Sequence, residues 1–239
     1  LSQLENILGH KIDFINQSSG NLILLDNVRL YEGEEKNDEA FAKTLAGSFD
    51  YYINNAFAVS HRRHASVVAI TKFLPSYAGL LLEEEINNLQ AALEAQVEGK
   101  IVIIGGAKTV TKVPVIKNFL DKAEKIIIGG VIANDILKVR DENLKAANVD
   151  ANSAELLAGI DVNDARLVLP VDYKYSEDGE NIWDVGPESL KIFSYVIKSA
   201  KMIVWNGPVG YFEKPGFEEG TKILAQTVAD SQAVKIIGG

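Results

Sequence analysis

The chain has no cysteine, a single methionine, six prolines and three histidines among its 239 residues. Without cysteine there are no disulfides and no thiolate-bound metals, a pattern that fits a cytoplasmic location without requiring one. Histidine is too sparse for an obvious metal cage. His61 and His64 lie in "AVSHRRHAS" (58–66), but no third ligand stands near them in the sequence. No apolar run approaches the roughly 18 residues needed to cross a bilayer, so no membrane association is expected. The opening "LSQLENILGH" also lacks the basic-then-apolar plan of a signal peptide. Positive charge is scarce: 24 Lys and Arg face 33 Asp and Glu, a net charge of -9, which argues against a nucleic-acid surface. Neither G-x-x-x-x-G-K-[ST] nor G-x-G-x-x-G occurs, and no Ser-His-Asp spacing is recognisable, so P-loop, dinucleotide-oxidoreductase and hydrolase readings recede.

What is present is a chain 47% hydrophobic, enough for a substantial core in one large or two modest domains. It begins at Leu1 and stops at "VKIIGG", a strand reaching a glycine turn, so the reading expects a piece of a longer polypeptide. The first third predicts a strand at 21–28, a helix near 39–48, a strand in "YYINNAF" and another in "ASVVAI" (65–70). Leu82, Ile86, Leu89 and Leu93 then form an apolar stripe on a helix over 80–96. It could be an ordinary packed surface helix or a connector between domains. From Lys100 on, "KIVIIGG", "KIIIGG", "RLVLPVD", "KMIVWNG" and "VKIIGG" read as strands, with helical segments such as 188–200 and 216–231 between several of them. This is a βαβ series. Continuously apolar strands belong to a parallel sheet covered on both faces, whose ligand sits beyond the strands' carboxyl ends. Most of these ends carry glycine, which suits either a turn or a shared crevice.

Three constellations carry chemistry. In "IIGGAKTVTK" (103–112) two glycines follow a strand, and Lys108 and Lys112 lie one helical turn apart. Backbone N–H groups, a helix N-terminus and two ammonium groups on one face suit a polyphosphate, with solvated surface lysines as the alternative. In "AVSHRRHAS", Arg62 and Arg63 lie between two histidines, a compact anion site or plain surface charge, and Arg29 after "ILLDNV" is a further candidate of the same kind. In "MIVWNGPVGYFE" (202–213), Asn206 would face the crevice and Glu213 could reach a ribose hydroxyl, unless Asn-Gly-Pro is only a tight turn.

Taken in order, "LLDNVRLYEGEEKN", "INNAFAVSHRRHAS", "FLPSYAGLLLEEEI", "IIGGAKTVTK", "KIIIGG", "LPVD", "DVGPES" and "VWNGPVGYFE" resemble phosphoglycerate kinase along nearly the whole chain. The resemblance implies an α/β fold of two Rossmann-like three-layer domains with parallel sheets joined by an interdomain helix. It divides the chain into 1–79, the remaining part of the phosphoglycerate-binding domain; 80–96, the interdomain helix; and 97–239, a truncated nucleotide domain. It implies phosphoryl transfer between 1,3-bisphosphoglycerate and ADP in glycolysis, by hinge closure of a cytoplasmic monomer using Mg²⁺ with ADP or ATP. Carried over by position, Arg29 and Arg62 hold the phosphate of 3-phosphoglycerate with His61 beside it, and Lys108 steadies the phosphoryl group in flight. Lys112 and Asn206 serve the nucleotide phosphates, Glu213 the ribose, and Gly105, Gly106, Gly129 and Gly130 line the adenine-nucleotide crevice. No metal ligand is carried over within this chain.

The departures are specific. The family's Arg-Val-Asp-Phe-Asn and His-Leu-Gly-Arg-Pro stretches and its Gly-Gly-Gly-Asp-Thr loop have no counterpart, so this stretch alone is not expected to turn over. Asn55 replaces an aspartate, Arg63 an alanine, Val131 a third glycine and Trp183 a leucine, and the segment between "LPVD" and "DVGPES" is short. Val131, Trp183, Tyr211 and that segment bear on the base pocket. The reading that competes is a non-catalytic relative of the same fold with an altered nucleotide pocket.

Overall fold

The structure is a computed structural model that describes residues 13–14, 23–47, 49–141 and 143–238. The chain separates into two compact units, 1–87 and 88–239.

In the first unit, β1 (Asp13–Phe14) pairs in parallel with β2 (Ile23–Leu24). The strand expected over 21–28 is therefore described only at Ile23–Leu24, and Asn27 ends it by accepting the Arg29 N–H at the start of a 3-10 turn. Then come α1 (Glu32–Glu35) and α2 (Glu39–Ala46), the latter capped by the Asp38 carboxylate on the Phe41 N–H. Next, β3 (Tyr52–Asn54) pairs in parallel with β4 (Ser76–Ala78).

The strand expected over "ASVVAI" does not form. Residues 65–68 are turn and Ala69–Lys72 is a 3-10 helix. The reason lies in where the N–H groups go. Ala65 N–H donates to the Glu34 carbonyl, Ser66 N–H to the Glu34 carboxylate and Ala69 N–H to the Asn37 side chain, so no strand partner is engaged. Ala65 and Ala69, one helical turn apart, pack with Ala42 and Ala46 of α2 in a small core. A helix, α3 (Leu80–Glu94), crosses the division between the units and ends two residues short of the expected 80–96. Asn55 Oδ1 accepts the N–H groups of Leu81 and Leu82 at 2.9 and 3.3 Å, so a residue far upstream satisfies amides that a helix start leaves unpaired.

The second unit is built on a five-stranded, wholly parallel sheet ordered β11-β10-β5-β6-β7. In chain order these are β5 (Lys100–Ile104), β6 (Lys125–Ile128), β7 (Leu167–Val168), β10 (Met202–Asn206) and β11 (Val234–Gly238). A short antiparallel hairpin of β8 (Tyr173–Tyr175) and β9 (Ile182–Val185) occupies the segment that reads as short in the sequence. The helices are α4 (Thr109–Phe119), α5 (Gly130–Arg140), α6 (Ser153–Leu156), α7 (Pro187–Lys198) and α8 (Glu219–Asp230).

The pleat explains the continuous apolar run of β5. Val102 and Ile104 enter a core with Val113, Ile116, Ile132 and Ile136 of α4 and α5; Ile101 and Ile103 enter the opposite core with Phe193, Ile197, Leu224 and Val228 of α7 and α8. Strand order runs outward in one direction from β5 through β6 to β7, and in the other through β10 to β11. The reversal therefore falls between β5 and β10, and a crevice opens there at the strands' carboxyl ends.

Candidate active site

Asn206 ends β10 level with Ile104, the last residue of β5. From that pair of ends the loops after β5, β6 and β10 knit together. Gly105 N–H donates to Asn206 O at 3.0 Å, Gly106 N–H to Pro208 O at 2.8 Å, Gly130 N–H to Val209 O at 2.8 Å and Val131 N–H to Gly106 O at 3.0 Å. Gly129 N–H closes the set on Ile104 O at 2.9 Å. A side chain at Gly105 would overlap the Pro208 carbonyl, and at Gly130, with φ 64°, a Cβ would lie 2.6 Å from Gly106 O. The glycines thus let three backbones touch. Their N–H groups are spent on neighbouring carbonyls rather than offered to a ligand, so the anion-binding share assigned to them in the sequence falls to the lysines and the start of α4.

Lys108 occupies the N-cap position of α4, exposed, with no side-chain partner among the described residues. One turn on, Lys112 is half-buried; its ammonium donates to Asn206 Oδ1 and its stem lies over Gly106, where an added Cβ would stand 3.3 Å from Lys112 Cε. Two residues far apart in the chain thus meet at the strand reversal. Burial pushes the Lys112 ammonium below its ordinary pKa, so the site holds an under-solvated positive charge that a nearby anion would relieve.

Beside these residues lies a cavity of about 550 Å³ reaching from Gly106 and Gly130 to Trp183 and Tyr211, with Glu213 on its lining. Trp183 meets Tyr211 edge-on at 5.7 Å and Phe217 at 4.9 Å, and Lys214 stands 5.5 Å above the indole. The Trp183 carbonyl accepts the Tyr211 N–H at 2.6 Å, so the β9 hairpin and the loop after β10 hold the aromatic wall jointly. Of the glycines, Gly106 and Gly130 line this cavity, whereas Gly105 and Gly129 lie buried outside its lining.

Sequence reasoning missed several cavity residues. Asn134 and Asn148 line it, as does Asp184, a buried carboxylate held by the N–H groups of Gly220 and Val185, both at 2.9 Å, and pushed up in pKa by burial. Asp135 lies just outside, fully buried. It accepts the Thr109 hydroxyl at the start of α4 and the Asp150 N–H at 2.7 Å, and burial raises its pKa. The signal was an Asn-Asp pair inside the apolar stretch "VIANDILKV", where every polar side chain needs a partner or a ligand.

In the first unit, Glu34 is buried and organises the basic loop. It accepts Ser66 N–H at 2.9 Å and Ser66 Oγ at 2.6 Å, with His64 Nδ1 3.5 Å from Oε1. His64 therefore faces a carboxylate of its own. Arg62 differs: its Nε is buried without a hydrogen-bond partner. The Arg29 guanidinium and the His61 and Arg63 side chains, all exposed, engage no partner among the described residues. In so acidic a chain these cations remain available to an external anion.

A doubly wound parallel sheet with a lysine-bearing helix start and an aromatic-walled cavity at its strand reversal defines a nucleotide-handling protein of the Rossmann-like class. Comparison with known proteins narrows this class. The phosphoglycerate kinase family model matches residues 2–239. The phosphoglycerate kinase of Wolinella succinogenes is 36% identical over an alignment covering 100% of this chain and 68% of the relative, and that of Geobacter metallireducens 40% identical over 92% and 61%. Among solved structures, phosphoglycerate kinase from Coxiella burnetii superposes with a TM-score of 0.80 at 31% identity, covering 100% of this chain and 68% of that one. The enzyme from Pyrococcus horikoshii gives 0.85 at 26%, covering 100% and 70%. The chain belongs to the phosphoglycerate kinase family, enzymes of phosphoryl transfer in glycolysis, and spans about two thirds of the length of these relatives.

Proposed function

We propose that this chain supplies residues for the family's reaction, phosphoryl transfer between 1,3-bisphosphoglycerate and ADP, with Lys108, Lys112 and Asn206 handling the nucleotide phosphates and the transferred group. The carrying observation is the Lys112–Asn206 contact at the strand reversal, with unpartnered Lys108 one turn away on the same helix. In the step, the bond from phosphorus to the acyl oxygen breaks as one to the ADP β-phosphate oxygen forms. The charge spread over the moving group needs positioned cations more than a covalent intermediate. Lys108, exposed and uncommitted, supplies the mobile cation; Lys112, braced by Asn206, supplies the fixed one. Glu213, on the cavity lining, accepts from ribose in this reading, and the cavity takes the base. The domain assignment of 1–79, 80–96 and 97–239 and the cytoplasmic, monomeric state belong to this same proposal.

For the other substrate, Arg62 and Arg29 take the phosphate of 3-phosphoglycerate, with His61 beside them, because a buried guanidinium N–H without an acceptor is what a phosphate oxygen completes. Mg²⁺ is implied by the chemistry. No three His, Asp or Glu side chains among the described residues come together to hold a metal.

Lys108→Ala tests the assignment. The turnover rate of the full-length enzyme should fall by at least about a hundred-fold while ATP affinity, read by calorimetry, changes by less than about ten-fold. An unchanged rate would remove Lys108 from the chemistry.

A further inference from the structure

Asp135 is a fully buried carboxylate that the phosphate chemistry does not use. It lies on α5, outside the cavity lining, and takes two donors from elsewhere in the second unit: the Thr109 hydroxyl, and the Asp150 N–H at 2.7 Å. Thr109 is itself buried and is the first residue of α4, directly after Lys108. Two residues before Lys108, the Gly106 carbonyl accepts the Val131 N–H at 3.0 Å, and Val131 is also on α5. One helix therefore holds the backbone on both flanks of Lys108, while the Lys108 side chain has no partner among the described residues. Burial opposes the charge on Asp135 and raises its pKa. An apolar pair of the same size would join α4 to α5 without that cost. What a hydrogen-bonded pair adds is a fixed register, because its strength depends on distance and angle, where an apolar contact tolerates a slide.

We propose that Asp135, acting through Thr109, is the positioning residue for Lys108: it fixes the first turn of α4, so that the mobile ammonium always starts from one place. The inference rests on the reading that Lys108 serves the transferred phosphoryl group. A cation that follows a moving group gains from a fixed root, since a misplacement of about 1 Å can cost about a hundred-fold in rate. Lys112 needs less of this help, because Asn206 braces its ammonium directly.

Thr109→Val keeps the shape of the side chain and removes the hydroxyl. In the full-length enzyme with both substrates saturating, kcat per folded molecule should fall about ten-fold, while the KM values for ATP and 3-phosphoglycerate change by less than about two-fold. Asp135→Ala should lower kcat by a similar factor, and the two substitutions together by no more than either alone. Asp135→Asn, whose amide can donate to the Thr109 oxygen and accept from the Asp150 N–H, should keep kcat within about two-fold of the unmodified enzyme. In a Lys108→Ala background, Thr109→Val should change kcat no further. A merely structural pair would lower the urea midpoint in both backgrounds and leave kcat per folded molecule alone. An unchanged kcat in folded Thr109→Val, or an equal loss with and without Lys108, would overturn the assignment. Lys108→Ala at full rate would instead overturn the chemistry given to Lys108, and this inference with it.

Discussion

Lys112 and Asn206 show how much one tertiary contact adds to two residue types. The spacing of Lys108 and Lys112 marks both as facing one anion, but their environments differ, one exposed and the other half-buried against an amide. Burial lowers the Lys112 pKa, so its folded value lies below its unfolded value. Holding the proton therefore opposes folding at neutral pH, and this cost is relieved as pH rises through the folded pKa. Phosphate binding has the opposite dependence, because it requires the charged form. Tripolyphosphate affinity should fall as pH rises from neutral into the alkaline range, ahead of an ordinary lysine titration. Lys112→Arg should hold its affinity across that range, and Lys112→Met should be weak throughout. Calorimetry at several pH values decides, and a flat profile for the unmodified protein would show that Lys112 does not carry the binding charge. These two cations were legible in the sequence. The Asn206 contact was not, because it joins the ends of two strands that are neighbours only in the sheet.

Among the elements, the five parallel strands were readable because each is an apolar run short enough for a strand and bounded by glycine or polar residues. Burial on both faces removes the alternation that would otherwise mark a strand. "ASVVAI" has the same local appearance but becomes turn and 3-10 helix, because Glu34 and Asn37 take its amides. β-Branched content alone does not make a strand where no ladder is available. Asp135 works at this scale too, tying the first residue of α4 to the 150 loop through Thr109 and the Asp150 N–H. Asp135→Ala should cost about 1–3 kcal/mol in urea unfolding, since it orphans both donors. Asp135→Asn should fold well. Its folded pKa is raised, so the wild-type carboxylate opposes folding above that pKa and does not below it. The asparagine variant should therefore gain on wild type as pH rises past the folded pKa, and match it where both side chains are neutral. A constant difference across pH would mean that the Asp135 pKa is the same in the folded and unfolded chain.

At the scale of the whole molecule, the chain holds two units, each with its own cations proposed to meet an anion: Arg29 and Arg62 in one, Lys108 and Lys112 in the other. A ligand that binds only the folded form of one unit stabilises that unit by mass action. Hydrogen exchange should therefore slow at 100–106 and 125–131 with ATP, and at 62–69 with 3-phosphoglycerate, each without the other. Protection appearing in the wrong unit would reassign the two sites. The sequence by itself determined the parallel α/β class, the pair of lysines, the basic loop and the family, because apolar runs, glycine punctuation and ordered motifs are properties of the chain read along its length. Only the tertiary structure decided that the glycine amides are consumed in knitting three loops, that His64 belongs to Glu34, and that Asn134 and Asn148 share the Ile182 carbonyl. Which donor meets which acceptor depends on elements brought together across the sheet, and spacing along the chain does not encode that.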